Sequence, residues 1–138
     1  MDSSGKRVDP ITLEVIRGAF TTLADEIDTN LARTAYSMLI YEYKDYAVGI
    51  LDAEGRLICQ CTGGMPIFIA DVLGAAVRDG LEIYGKDNLH PGDVIITNHA
   101  ATMGQHLNNV AMYSPVFAGR DGEELVAFVV ITAHWLDI

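Results

Sequence analysis

Apolar positions recur at helical spacing in the first third of the chain. A stripe with steps of three and four residues is formed by Ile16, Phe20, Leu23, Ile27 and Leu31. This periodicity is typical of an amphipathic helix. Asp9 is a suitable N-cap, and Pro10 suits the first turn, because that position needs no amide donor. The pattern therefore predicts one long helix over residues 9–39.

The same spacing returns over residues 66–85. One predicted face is made of Ile69, Val72, Leu73, Ala76, Val77, Leu81 and Tyr84. Pro66 is compatible with the first turn of a helix, and Gly85 can end it. The segment is predicted to be the second main helix.

The remaining apolar runs are short and rich in β-formers, which predicts strands. Two such runs flank the turn sequence DAEG, so a hairpin is expected over residues 46–61. The segment HPGDVIITN predicts a turn and a short buried strand. Two further strands flank the turn AGRDGE at 118–123, and the second is almost wholly apolar over 125–132. A run of that kind is typical of a central strand covered on both faces.

These elements predict one α+β domain over residues 1–138, with a mixed sheet of about five strands and two main helices. Residues 1–8 are polar and are expected to be flexible. The last strand is the most apolar one, and the sequence stops at Ile138, directly after a polar cluster. We therefore expect the fold to be incomplete without a partner subunit, the alternative being a short exposed terminus.

Amino-acid composition and net charge argue against several classes of protein. Half of the residues are apolar and 20% are charged, which argues against disorder. Nine basic residues against 19 acidic ones give a net charge of −10, which disfavours nucleic acids and anionic membranes. No apolar run approaches a bilayer span, and the first residues lack the apolar core of a secretory signal. Cys59 and Cys61 are expected to be reduced thiols of a cytoplasmic protein.

Two histidines carry the main candidate chemistry. His106 precedes Asn109 by three residues, and His134 precedes Asp137 by three. Two imidazoles and a carboxylate are a plausible site for a divalent metal if these segments are neighbours in the sheet. Spacing alone leaves the alternative open that both histidines are ordinary, hydrogen-bonded residues at strand ends.

Other polar and aromatic residues are less specific. Asn98 and His99 follow a predicted strand, where ligand contacts are common, although His99 could equally be a loop residue. Tyr41, Tyr43 and Tyr46 alternate along the chain and fit an interface as well as a pocket. The sequence contains no nucleotide-binding motif.

Taken in order along the chain, five stretches resemble the hydantoinase B/oxoprolinase family. They are DPITLEVIRGAF with ADEIDTNLARTAYS, then DYAVGILDAEGRLICQ, HPGDVIITN, HLNNVAMYSPVF and ELVAFVVITAHWLDI. Together they cover nearly the whole chain and resemble the N-terminal portion of that family.

The resemblance implies a small subunit of an ATP-dependent ketone carboxylase of the acetophenone type, with bicarbonate as carboxyl donor. It further implies a large hydantoinase-B-like partner and hydantoinase-A-like subunits that hold ATP and Mg²⁺. Two alternatives remain: a subunit of an ATP-dependent hydantoinase or 5-oxoprolinase, and a structural subunit without a catalytic role.

The same resemblance implies candidate residues. His106, His134 and Asp137 are the expected catalytic residues, and Asn98, His99 and Trp135 the expected substrate contacts. The candidate metal ligands, for Mn²⁺ or Zn²⁺, are His106, Asn109, His134 and Asp137. In this chain Asn109 stands where the family pattern has aspartate, His99 also replaces an aspartate, and Trp135 replaces a second histidine. Because the loss of an anionic ligand weakens the attraction for a hard cation, we expect a weak or absent metal centre and a pocket suited to an apolar or aromatic substrate.

Overall fold

The structure, a computed structural model, describes residues 8–103, 106–119 and 122–138, with only the backbone for 66–71. The helices are α1 (Pro10–Thr34), α2 (Met38–Tyr41), α3 (Pro66–Tyr84) and α4 (Ala100–Met103), with a 3-10 turn at Lys86–Asn88. The strands are β1 (Tyr46–Asp52), β2 (Leu57–Gln60), β3 (Ile95–Thr97), β4 (Asn109–Ala118) and β5 (Glu124–His134). Except for Val8, the segment expected to be flexible lies outside the described residues, as does the side chain of Ile69.

The five strands form one sheet in the order β2-β1-β5-β4-β3. The predicted α+β class, strand number and two main helices are confirmed. The expectation of a mixed sheet is wrong, because every pairing among the described strands is antiparallel. Hairpins join β1 to β2 and β4 to β5, and short connections of this kind impose antiparallel pairing.

β5 is the middle strand, as its apolar run predicted. The prediction of a buried strand before residue 98 is only partly correct. β3 is short, as predicted. It is not buried, because it is an edge strand and the side chain of Ile96 is 62% exposed. Local apolarity marks a strand without showing which neighbours will cover it.

α1 starts as predicted. The Asp9 carboxylate accepts a hydrogen bond from the backbone N–H of Thr12 at 3.0 Å. The single helix expected over 9–39 is wrong, since α1 ends at Thr34 and Ala35 is extended, with ψ 141°. The break lets α2 turn back, so that Ile40 packs against the core around Tyr46.

The inward face of α1 also differs from the predicted stripe. Ile16 and Leu23 are 43% and 49% exposed, whereas Ala24 and Asp28 are buried. Ala24 packs with Tyr46 and other residues on one face of the sheet. Apolar spacing therefore located the helix but did not identify the surface that it buries.

α3 covers the opposite face of the sheet. Its residues Val72, Leu73, Ala76 and Val77 pack with Phe128 of β5 in the larger core cluster. Tyr84, which the spacing placed on the same face, is 51% exposed at the end of the helix. Successive strand residues point to opposite faces, so the two helices enclose the sheet in three layers. None of the described helices is long and apolar enough to cross a bilayer.

Candidate functional site

The two candidate histidines lie side by side where β4 begins and β5 ends. Asn109, the first residue of β4, is paired directly with His134, the last residue of β5. A turn closed by the Asn109 N–H, which donates to the His106 carbonyl at 3.0 Å, returns His106 to the same place. The imidazole ring centroids are 4.9 Å apart, with the ring planes at 74°. The sheet register therefore assembles a paired-imidazole cluster of His106, Asn109 and His134.

Asn109 connects the two rings through its side-chain amide. Its Oδ1 lies 3.3 Å from His134 Nδ1, and its Nδ2 lies 3.5 Å from His106 Nε2. With the amide in this orientation, His134 donates from Nδ1 and keeps a free lone pair on Nε2, while His106 accepts at Nε2. Asn109 thus selects one tautomer of each imidazole.

The donor set of this cluster does not fit a hard divalent cation by itself. It offers two imidazoles and one amide, whereas such ions prefer carboxylate oxygens. Asp137 is exposed beyond the end of β5. Among the described residues, no three His, Cys, Asp or Glu side chains form a group that could hold a metal ion. His106, His134 and Asp137 are therefore not assembled as a three-ligand site.

Asn98 and His99 have different roles in this geometry. Asn98 Nδ2 donates to the Leu107 carbonyl at 3.1 Å, which anchors the turn that carries His106. His99 Nδ1 lies 2.8 Å from the Thr102 hydroxyl and 3.7 Å from an Asp79 carboxylate oxygen. Asn98 positions the imidazole cluster, whereas His99 joins α4 to α3.

Trp135 follows His134 and is held by a residue that the sequence analysis did not single out. The Trp135 N–H donates to the Asn108 carbonyl at 2.9 Å, and Asn108 Nδ2 donates to the Trp135 carbonyl at 3.2 Å. Trp135 and Asp137 line a cleft of about 840 Å³ between the end of α1, α2 and the segment after β5. The pair Asn108-Asn109 at the start of β4 was the signal in the sequence for this contact.

A second polar cluster was also missed. The Tyr46 hydroxyl donates to Asp28 Oδ1 at 2.5 Å, and Lys44 Nζ lies 3.9 Å from Oδ2 of the same carboxylate. Burial and the Asp28 carboxylate raise the pKa of Tyr46. Of the alternating tyrosines, only Tyr46 is buried, while Tyr41 and Tyr43 are exposed. An acidic residue within the inward half of α1 was the signal that pointed to this contact.

The loop after β2 is hydrogen-bonded to α1 through the carboxylate of Asp25. Asp25 Oδ1 accepts hydrogen bonds from the Thr62 N–H at 2.8 Å and from its hydroxyl at 3.0 Å. Cys59 and Cys61 are free thiols, and burial raises the pKa of both. Thiols with a raised pKa are poor nucleophiles, so these cysteines serve packing.

Comparison with known families gives a match over residues 9–138, to the model described as hydantoinase B/oxoprolinase. The chain belongs to the hydantoinase B/oxoprolinase family. This result confirms the family resemblance that the sequence motifs indicated.

Several known proteins and two solved structures resemble the chain over nearly its whole length. It is 35% identical over 131 residues to the caprolactamase subunit beta of Pseudomonas jessenii, and 30% identical over 131 residues to the 5-oxoprolinase of Saccharomyces cerevisiae. The crystal structure of the ATP-dependent caprolactamase matches 96% of the chain with a TM-score of 0.76 and 32% identity. A nucleotide-free acetone carboxylase structure matches 94% of the chain with a TM-score of 0.78 at 19% identity, which shows a shared fold.

The chain spans only a small share of these proteins. It corresponds to 22% of the caprolactamase subunit, 10% of the 5-oxoprolinase and 16% of the acetone carboxylase chain. The fold described above thus corresponds to one segment of each of these longer polypeptides.

Proposed function

We propose that this chain acts as a small subunit of an ATP-dependent ketone carboxylase of the acetophenone type, which uses bicarbonate as carboxyl donor. The observation that carries the proposal is the paired-imidazole cluster, in a chain of the hydantoinase B/oxoprolinase family. ATP and Mg²⁺ are proposed to bind on hydantoinase-A-like partner subunits.

The cluster supplies groups suited to enol formation from a ketone. His134 bonds Asn109 through Nδ1, which leaves Nε2 free to accept a proton from the carbon beside the carbonyl. His106 lies against His134 and, as the second imidazole, is placed to donate a hydrogen bond to the developing enolate oxygen. The resulting nucleophilic carbon would then attack the carboxyl carbon of bicarbonate that ATP has phosphorylated on the partner subunits. The new carbon–carbon bond forms as the bond from that carbon to the phosphate oxygen breaks, and inorganic phosphate leaves.

Exposed apolar surface supports the proposed large hydantoinase-B-like partner. Ile96 of β3 is paired with Met112 of β4, and Val116 lies on the same side of β4 by strand alternation. These residues are 62%, 38% and 38% exposed on the sheet face that carries α1. On α1, toward the other edge of the sheet, Ile11 and Val15 are 75% and 67% exposed. Exposed apolar side chains in this number are typical of a protein interface, and the chain spans only 22% of the caprolactamase subunit and 10% of the 5-oxoprolinase.

A second candidate function keeps the ATP requirement but changes the reaction. Relatives at 30% identity or more include a caprolactamase subunit and a 5-oxoprolinase, whose names describe the opening of cyclic amides. The same imidazoles could serve such a reaction by activating water or polarising an amide carbonyl. The purely structural alternative requires no chemistry from either histidine.

The deciding experiment begins with the proteins that copurify with the tagged chain. The purified complex is assayed with ATP in two reactions: acetophenone with bicarbonate, and 5-oxoproline or caprolactam alone. We expect carboxylation of acetophenone, together with its loss in His106→Ala and His134→Ala. ATP-dependent ring opening without carboxylation would establish the second candidate. Full turnover by both His106→Ala and His134→Ala in an intact complex would show that the chain is a structural subunit.

The matched control is His90→Ala. His90 lies in a turn before β3, where its side chain is 72% exposed and its imidazole is 3.8 Å from Asp93. This variant removes an imidazole outside the cluster, and we expect it to retain turnover. An equal loss in all three variants would show that the assay responds to general damage.

A further inference from the structure

The main chain of His134 lies between two neighbouring segments of the sheet. Its N–H donates to the carbonyl of Asp45, which precedes β1, at 3.0 Å. On the other side His134 is paired with Asn109, whose own N–H donates to the His106 carbonyl. Because both N–H groups bond elsewhere, His134 and Asn109 form a pair without ladder bonds, the kind in which opposite side chains are closest. Their side-chain contact therefore depends on the bonds that flank the pair.

The flanking bonds come from Val110 with Ala133 inside the ladder, and from Asn108 with Trp135 at its end. Asn108 precedes β4 and belongs to the turn that carries His106. The Trp135 N–H donates to the Asn108 carbonyl at 2.9 Å, and the bond in the opposite direction comes from a side chain, since Asn108 Nδ2 donates to the Trp135 carbonyl at 3.2 Å. An asparagine amide can supply such a bond because it carries two N–H donors. The side chain of Asn108 thus completes the ladder at a point where the backbone turns away.

The contacts within the imidazole cluster are long, so they are sensitive to the position of this turn. Asn109 Oδ1 lies 3.3 Å from His134 Nδ1, and Asn109 Nδ2 lies 3.5 Å from His106 Nε2. Hydrogen bonds to nitrogen donors usually measure roughly 2.7–3.2 Å between heavy atoms. A small movement of the turn away from β5 would therefore break the bridge between the two rings.

We propose that Asn108 is a positioning residue of the paired-imidazole cluster: its amide holds the turn against the segment after β5, so that Asn109 bridges His106 and His134. Asn108 bonds only to main-chain atoms of Trp135 in this arrangement, and it acts through Asn109. Without its amide, His134 Nδ1 loses its fixed acceptor, and the imidazole is no longer held in one tautomer. Where it concerns turnover, the inference rests on the proposed function, because it takes His134 as the group that accepts the proton.

The test compares Asn108→Ala with the matched control Asn88→Ala, both in the purified complex. Asn88 Nδ2 also donates to a backbone carbonyl, that of Tyr84 at 2.7 Å, and this exposed contact lies at the end of α3. Asn108→Asp keeps the shape of the side chain but removes its N–H donors. This second variant decides the case if Asn108→Ala does not fold.

The first measurement is the tautomer of His134, which requires no turnover. The chain contains four histidines; it is labelled with ¹⁵N-histidine, combined with unlabelled copurifying partners and studied by solid-state NMR. The signals of His134 are those that disappear in His134→Ala. We expect Nδ1 to carry the proton in the unmodified chain and in Asn88→Ala. In both Asn108 variants we expect the proton to be divided between Nδ1 and Nε2, because the Asn109 acceptor is no longer held in place.

The second measurement separates kcat from KM in the carboxylation of acetophenone by the assembled complex. Displacement of a catalytic group by about 1 Å can cost on the order of a hundredfold in rate. We therefore expect kcat to fall by roughly tenfold to a hundredfold in the Asn108 variants, with KM within about twofold. Asn88→Ala should retain both values within about twofold, the usual behaviour of a surface position outside the site. A purely structural role of Asn108 would lower the yield of complex without changing kcat per assembled complex.

Three outcomes would overturn the positioning role: a lower kcat without a change of the His134 tautomer, a changed tautomer with full carboxylation, or an equal tautomer change in Asn88→Ala. An unchanged tautomer in both Asn108 variants, with carboxylation still dependent on His134, would refute the positioning role and retain the proposed function. A tautomer change confined to the Asn108 variants, in a complex that carboxylates no ketone, would retain the positioning of the cluster and refute the proposed function.

Discussion

Replacing Tyr46 with phenylalanine removes one oxygen atom from the most buried tyrosine of the protein core. The hydroxyl of Tyr46 donates to Asp28 at 2.5 Å, and the two residues are 1% and 7% exposed. This contact joins β1 to α1. Without it, the Asp28 carboxylate stays buried with one remaining ionic neighbour among the described residues, the half-exposed Lys44 at 3.9 Å.

The expected loss follows from the burial and charge of the acceptor. A hydrogen bond to a charged group stabilises a protein by roughly 1.5–3 kcal/mol, and a buried acceptor left without its donor is at the upper end of that range. The Lys44 contact adds little because it is long and partly hydrated. We therefore expect Tyr46→Phe to lower the free energy of unfolding by about 2–3 kcal/mol. At a urea m-value of about 1–3 kcal/mol/M, the midpoint falls by roughly 0.7–3 M.

Urea unfolding followed by far-UV circular dichroism measures this change, with Tyr113→Phe as the matched control. Tyr113 is also buried, at 3% exposed, but its hydroxyl has no hydrogen bond within the described part of the chain. Its replacement is expected to cost no more than about 1 kcal/mol. Equal midpoints for the two variants, or full additivity of Tyr46→Phe with Asp28→Asn, would refute a coupled buried contact.

Three further predictions test other parts of the structure. Gly63→Ala places a Cβ 2.6 Å from Asp28 Oδ2 and should lower the free energy of unfolding by about 1–3 kcal/mol, as measured in urea. In the control Gly18→Ala the added Cβ meets open space, and the variant should be more stable by up to about 1 kcal/mol. Equal effects of the two variants would contradict the close approach at Gly63. Burial raises the pKa of Tyr113 to about 12. This folded-state pKa exceeds the unfolded value of about 10, so the protonated hydroxyl of Tyr113 contributes stability below pH 10. That contribution, roughly 2–3 kcal/mol, is lost as the pH rises from 10 towards 12. Over this pH range the urea midpoint should therefore fall less in Tyr113→Phe than in the unmodified chain. Asn109→Asp adds a carboxylate between the two imidazoles and should increase the affinity for Zn²⁺ by roughly tenfold or more, as measured by calorimetric titration. The control Asn109→Leu should not increase this affinity. If the aspartate variant gains no affinity, the geometry and not the missing charge prevents metal binding.

Local patterns predicted the elements well where the deciding forces are local. Asp9 caps α1, Gly85 follows α3, and the carboxylate of Asp52 accepts the Glu54 and Arg56 N–H groups in the predicted hairpin turn. Each of these outcomes depends on atoms within a few residues of one another. Pattern reasoning was less successful for α1 beyond Thr34, where helical spacing continued but the chain turned to bury Ile40.

The candidate site shows the same division between local and long-range forces. The motifs identified His106 and His134 and the family to which the chain belongs. They could not identify Asn109 as the bridge between the two rings, because that role depends on its pairing with His134, 25 residues away. They also placed His99 in the site, whereas its side-chain contacts are with Thr102 and Asp79.

The amino-acid sequence by itself determined the helices, the strands, the family and the identity of the candidate groups, since periodicity, capping and motifs are properties of short segments. Tertiary structure alone decided the antiparallel strand order, the burial of Asp28 against Tyr46, the bridging of the imidazoles and the cleft beside them. These features arise from contacts between residues far apart in the chain, and the free energy that selects them comes from register and packing over the whole sheet.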